Sequence, residues 1–240
     1  MNTRMEKKDI IQQCIHQLSG FITKRRWKRM IEVANERTRY LIPVLEDFYQ
    51  SHNASAVMRT CECLGIQQLR TIEKTNVFQH HPDISIGSER WIEVIRYKSN
   101  AYKNPTVSCL NDLKNEGYLI AVLTPHGKTI ELDDFPVEST KTALVLGKEK
   151  EGVSAEAMQM ADVFIKIPMY GFTESFNVSV TAAVCLYQMR RRLERSNQAY
   201  KLTEEEKAKL LLGWLLRDVK NARDILAKEF PEIDINQLIY

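Results

Sequence analysis

The 240-residue chain contains no C-x-x-C pair, no G-x-G-x-x-G, no G-x-x-x-x-G-K-[ST], and no apolar run near the roughly 18 residues a spanning helix needs. Each absence removes a class of function. The five cysteines, Cys14, Cys61, Cys63, Cys109 and Cys185, are odd in number and irregularly spaced, which argues against a disulfide framework and fits a reducing, cytoplasmic setting. Cys61 and Cys63 lack spaced histidine partners, and His80-His81-Pro82 reads as a polar surface loop, so no metal is expected. The missing glycine signatures disfavour NAD and ATP. The N-terminal MNTRMEKKDI lacks the apolar stretch of a signal peptide, so an untargeted protein with no membrane partner is expected.

Net charge is small as well, +3, but unevenly spread. Residues 1–40 carry ten Lys/Arg against four Asp/Glu, while 41–195 carry 17 against 19 and 196–240 carry seven against eight. A basic arm on a near-neutral body suggests a polyanion held at one edge. The run Lys24-Arg25-Arg26-Trp27-Lys28-Arg29, with its embedded aromatic, reads as an RNA contact, the plainer alternative being a solvated helix face.

A chain of this length buries roughly three quarters of its unfolded surface, enough for a full core without disulfides or metals. Apolar strands are expected at 41–48, 68–72, 92–97, 118–123, 143–146 and 163–167. Helices are expected between them near 53–64, 104–116 and 154–161, with Asn53 as an N-cap and Gly65 as a stop. Alternating β and α predicts an α/β fold with a mostly parallel sheet covered by helices on both faces. Thr203 and Glu206 offer a capping box to a tail helix around Trp214. Three parts follow: a basic helical arm at 1–40, an α/β domain at 41–195 and a helical extension at 196–240.

In parallel sheets ligands sit beyond the carboxyl ends of strands. Gly147-Lys-Glu-Lys-Glu-Gly152 lets the backbone approach a cofactor or is an ordinary strand-to-helix turn; its two glutamates disfavour phosphate. Pro168 and Gly171 shape a loop ahead of Ser175 and Asn177, residues suited to hydrogen bonding, since Ser175 lacks the G-x-S-x-G setting of a nucleophile. The helix beyond, with Val178, Val180, Ala182, Ala183, Val184, Leu186 and Met189, is apolar nearly all round and must be covered by other protein. Arg59 serves equally as a ligand clamp or a salt-bridge partner. His52 touches phosphate or ribose, or is a satisfied loop histidine.

Three of these segments, in order, resemble the motifs of the SPOUT superfamily of RNA methyltransferases and, within it, the TrmH (SpoU) ribose 2'-O-methyltransferases. They are His52-Asn53-Ala-Ser-Ala-Val-Met-Arg59-Thr-Cys-Glu-Cys-Leu-Gly65, Leu144-Val-Leu-Gly147-Lys-Glu149-Lys-Glu-Gly152-Val-Ser, and Ile167-Pro-Met-Tyr-Gly171 continuing through Ser175-Phe-Asn177-Val-Ser-Val. The resemblance covers about residues 40–195. It implies a homodimer using S-adenosylmethionine, with a C-terminal trefoil knot that general folding rules would not suggest. It also implies a cofactor held by Leu123, Thr124, Gly147, Ile167, Pro168 and Met169 with Phe176 nearby, and reaction-site residues Asn53, Arg59, Ser175 and Asn177 supported by Glu149. The RNA surface it implies includes His52, Arg190, Arg191 and Arg192, besides Lys24, Arg25, Arg26, Lys28 and Arg29 of the arm. The arrangement of short arm, catalytic core and tail resembles tRNA enzymes that methylate guanosine 18 in the D-loop. The alternatives are a ribosomal-RNA methyltransferase and a non-catalytic RNA-binding protein. Glu174 and Phe176 depart from the usual Gln and Leu, and 76–85 also differs. Holding any arginine neutral at pH 7 costs roughly 7–9 kcal/mol, which favours Arg59 as a clamp on ribose and phosphate over a free base.

Overall fold

The structure is a computed structural model that describes residues 7–148 and 151–239. In chain order its elements are α1 (Lys7–Ser19), α2 (Lys24–Ala34), β1 (Leu41–Glu46), α3 (Ser51–Cys63), β2 (Gln68–Glu73), α4 (Pro82–Ser85), a 3-10 turn (Ser88–Arg90), β3 (Glu93–Lys98) and α5 (Pro105–Asn115). There follow β4 (Leu119–Leu123), β5 (Ile130–Glu131), β6 (Thr142–Leu146), α6 (Ala155–Met160), β7 (Val163–Lys166), α7 (Val178–Arg195), α8 (Glu204–Asp218), α9 (Ala222–Glu229) and α10 (Asn236–Ile239). They fall into two compact units, Thr38–Tyr200 and the two chain ends, Met1–Arg37 with Lys201–Tyr240.

Thr38–Tyr200 is built on a seven-stranded sheet in the order β3-β2-β1-β6-β4-β7-β5, with every pairing parallel. β1, β2 and β6 are buried along their whole length, because helices cover both faces. The period of two divides the core. Leu41, Leu45, Leu69, Leu144 and Ile165 pack on one face with Val57, Met58 and Cys61 of α3 and Ala182, Cys185, Leu186 and Met189 of α7. Ile42, Val44, Ile120, Val122 and Val145 pack on the other with Cys109, Leu110 and Leu113 of α5. Pro43 is tolerated in a central strand because the ladder to β2 starts only at Val44, leaving its missing donor on the unpaired side. β6 enters between β1 and β4, and β7 between β4 and β5, each inserted among strands laid down earlier.

One expectation needs correction. Helix α3 starts at Ser51, with Gln50 at the N-cap making no side-chain capping bond, so Asn53 lies inside the helix with its side-chain amide bonded to Gln50 and Asn177. Arg70 of β2 is buried and donates to Gln68, Tyr97 and both oxygens of Glu116. Within the unit formed by the chain ends, α8 packs on α1 and α2. In that unit Trp214 is fully buried with the Arg37 guanidinium 5.4 Å from its ring centroid, and Thr203 and Glu206 form the expected capping box. Among the described residues no helix is long and apolar enough to cross a membrane.

Candidate active site

Parallel pairing sends the carboxyl ends of β1, β6, β4 and β7 to one edge, and the loops that follow them gather there. Leu123 pairs with Ile165, and the Thr124 amide donates to the Ile165 carbonyl at 3.0 Å, so the exits of β4 and β7 lie side by side. Leu123, Ile167, Pro168 and Met169 are half-buried, Thr124 and Gly147 are buried, and Phe176 is exposed at 46%. A Cβ on Gly147 would lie 2.2–2.3 Å from backbone atoms of Gly152 and Val153, so only glycine fits where the loop folds back on itself. Lys148 and Gly152 close that fold with amide-to-carbonyl bonds of 2.9 and 3.1 Å. Glu149 lies outside the described residues.

The first and third sequence motifs meet through one hydrogen bond. Asn177 Nδ2 donates to Asn53 Oδ1 at 3.2 Å across 124 positions of sequence, and Asn53 Nδ2 donates to Gln50 Oε1 at 3.1 Å. Asn177 also caps α7, its Oδ1 accepting from the Ser179 amide at 2.9 Å and the Ser179 hydroxyl at 2.6 Å. That capping role was not read from the sequence, although Asn immediately before a long apolar helix is a usable signal. Ser175 is exposed in the loop before it. Arg59 and His52, seven residues apart, share an exposed face of α3. Arg59 makes no hydrogen bond or ion pair among the described residues. The His52 ring stands 5.1 Å from that of His81, whose amide donates to Ser55 Oγ at 2.7 Å.

The loops at 124–128, 147–152 and 167–177 hold Lys128, Lys148 and Lys150 against Glu149, Glu151 and Glu174, a net charge of zero. Apolar side chains, buried backbone groups and no cationic cluster suit a cofactor with an apolar body and no phosphate. Several cations expected on the RNA surface are engaged within the protein. Arg190 is buried, donates to the Leu64 carbonyl at the end of α3 at 3.2 Å, and stacks 4.6 Å from the Tyr200 ring centroid. Arg192 is bidentate to Glu138 at 3.1 and 3.0 Å and donates to two backbone carbonyls. Arg191 pairs with Glu194 one turn on. These side chains close the end of α7 onto the body; run composition alone does not distinguish that use from a free basic surface. On α2, Lys24, Arg25, Lys28 and Arg29 are exposed, whereas Arg26 is bidentate to Asp218 at 2.9 and 3.1 Å.

Comparison with known proteins agrees with this geometry. Residues 40–187 match the SpoU rRNA Methylase family. A tRNA (guanosine(18)-2'-O)-methyltransferase of Borreliella burgdorferi is 41% identical over 204 residues, covering 85% of this chain and 90% of that protein. The crystal structure of the A. aeolicus TrmH/SpoU tRNA modifying enzyme superposes with a TM-score of 0.71 at 32% identity, over 82% of this chain and 98% of that one. AviRb from Streptomyces viridochromogenes, in complex with the cofactor AdoMet, shares the fold alone, with a TM-score of 0.57 and 20% identity over 69% of this chain and 65% of that one. Motifs, sheet order and relatives converge: the chain belongs to the SpoU methylase family.

Proposed function

We propose that this protein transfers the methyl group of S-adenosylmethionine to the ribose 2'-hydroxyl of guanosine 18 in tRNA. The observation that carries the reading is the Asn53–Asn177 bond, which ties the start of α3, bearing His52 and Arg59, to the loop that leaves β7. Leu123, Ile167, Met169 and Phe176 supply apolar surface, and the backbone at Thr124 and the Gly147–Gly152 turn supplies polar groups, for the cofactor. Bound there, the sulfonium contributes a methyl group activated toward an oxygen nucleophile.

The residues of this chain do the rest. Arg59 and His52 grip the ribose and its adjacent phosphate from the exposed face of α3, fixing the hydroxyl in line with the methyl. Ser175 hydrogen-bonds the sugar, and Asn53 and Asn177 hold the two walls at a fixed spacing. Methyl transfer would place positive charge on the ribose oxygen and make its proton acidic. Release to the clamped phosphate or to water then needs no strong base. Substitution of Arg59 by lysine keeps the charge and loses the planar fork, so turnover falls by at least tenfold while cofactor affinity holds. Unimpaired turnover in that variant would remove Arg59 from the mechanism.

The tRNA substrate is supported by the Borreliella burgdorferi and A. aeolicus relatives, covered over 90% and 98% of their length, and by the exposed cations of α2. A homodimer is supported by Val180, Val184 and Tyr187, exposed at 45, 38 and 57% and spaced as one stripe along α7. Tyr170 and Phe172 lie bare in the loop leading into the same helix. A second copy would cover this surface, and sedimentation of the protein with Val184 replaced by arginine would show monomers. A cytoplasmic setting is supported by the free cysteines and by the proposed tRNA substrate.

A further inference from the structure

The end of β1 carries two adjacent buried carboxylates that take no part in the Asn53–Asn177 cluster. Glu46 and Asp47 are 2% and 1% exposed. Side by side in a strand they would point to opposite faces, but Asp47 adopts a left-handed backbone with φ 54°, which ends the alternation. Asp47 accepts from the amides of Lys74, Thr75 and Asn76 at 2.8–2.9 Å and from the Thr75 hydroxyl at 2.6 Å. Its remaining partner is Lys148 Nζ at 2.7 Å. Glu46 accepts from the Ser154 amide at 2.8 Å and from the Ser154 and Thr106 hydroxyls, both at 2.6 Å, with Lys74 Nζ 3.5 Å away.

The two carboxylates therefore hold the two feet of one loop. Asp47 takes Lys148, immediately after Gly147, and Glu46 takes Ser154, immediately before α6. Between the loop and the ends of β1 and β2 lies a cavity of about 160 Å³ lined by Glu46, Asp47, Lys74, Lys148, Gly152 and Ser154. With Glu151, three carboxylates and two lysines line it, and it gives the feet of the loop space into which to move if either is released. The main-chain bonds to Asp47 would survive loss of Lys148, so the lysine is the separable part.

We propose that Asp47 is a positioning residue for the cofactor loop, acting through Lys148 to hold Gly147 and the Lys148–Gly152 pair in place; this rests on the function proposed above. Without the pin the loop samples collapsed positions, and apparent affinity falls with the fraction of molecules still competent. Calorimetric titration of the full-length protein with S-adenosylmethionine provides the test. Lys148→Met is expected to weaken binding about tenfold and to raise KM for the cofactor more than it lowers kcat, and Lys148→Arg to recover most of the loss. Asp47→Asn should weaken binding similarly, and the double variant no further than the worse single one, because both remove one interaction. Parent-like affinity in Lys148→Met would overturn the proposal. So would additive losses in the double variant, which would mean that Lys148 contacts the cofactor itself. Failure of the unaltered protein to bind S-adenosylmethionine would instead remove the cofactor reading, and the proposal with it.

Discussion

Asn177 does two things that substitutions can separate. Its Oδ1 caps α7 and its Nδ2 donates to Asn53. Serine at this position keeps an N-cap oxygen but cannot span the 3.2 Å bridge from the same place; alanine keeps neither. Loss of the bridge costs about 1 kcal/mol, as for a partly exposed neutral hydrogen bond, and loss of the cap about another 1 kcal/mol. For a protein of this size about 1 kcal/mol moves Tm by roughly 2–4 °C. The serine variant should thus melt roughly 2–4 °C below the parent and the alanine variant roughly 4–8 °C below it. Scanning calorimetry must be run at one protein concentration, because association makes Tm concentration-dependent. Methyl transfer should fall at least about tenfold in both, since each loosens the link between α3 and the loop after β7. Equal Tm values for serine and alanine would refute the capping argument. Parent-like activity in the serine variant would show that the Asn53–Asn177 link plays no part in the site.

Gly147→Ala drives a methyl into Gly152 and Val153 backbone, so it should cost about 1–3 kcal/mol of stability and reduce cofactor affinity at least tenfold by calorimetry. Retained affinity would mean that the turn opens freely. Neutralising Lys24, Arg25, Lys28 and Arg29 should lower tRNA affinity in filter binding and flatten its dependence on log salt by about 0.7–0.9 per lost phosphate contact, with cofactor binding unchanged. An unaltered slope would leave α2 as solvated surface. Asp47 adds an acid-side signature. Burial alone would raise its pKa, but hydrogen bonds from Lys148, Thr75 and the Asn76 and Thr75 amides hold it at about 2, below the ordinary 3.8. A depressed folded value means stabilisation that is complete above about pH 5 and lost as pH falls through 2, about 2 kcal/mol in all. The urea stability gap between the parent and Asp47→Asn should therefore be constant above pH 5 and narrow toward pH 2; a gap independent of pH would contradict the assignment.

The sheet was legible because its strands are short apolar runs separated by turn residues and helix caps, and parallel burial makes such runs distinct. Gly65 marks the end of α3 with a positive φ, as its position after Leu64 suggests. The strand order was not legible, because the hydrophobicity of β6 and β7 carries no record of which neighbours they enter between. Two-residue β5 and four-residue α4 are too short to show a period. At the site, Asn53, Arg59, Ser175 and Asn177 were identified as a set by resemblance, but their geometry was not. Asn53 looked like a helix cap, and its buried amide instead faces Asn177, a contact set by the packing of α3 on α7. Arg190, Arg191 and Arg192 read as a basic patch because composition counts charges without their partners; Glu138, Glu194 and the Leu64 carbonyl, all from other turns or segments, take them up. Asp47 went unnoticed for the converse reason, since one aspartate after a strand resembles any turn residue until the three amides converging on it are seen.

The most direct test is to incubate the purified protein with S-adenosylmethionine and unmodified tRNA transcript, digest the product and locate the methyl group by mass spectrometry. The account predicts one added methyl on the ribose of guanosine 18, lost when that guanosine is replaced in the transcript. A methyl group on a base, on another nucleotide, or on no RNA while the cofactor binds would contradict it.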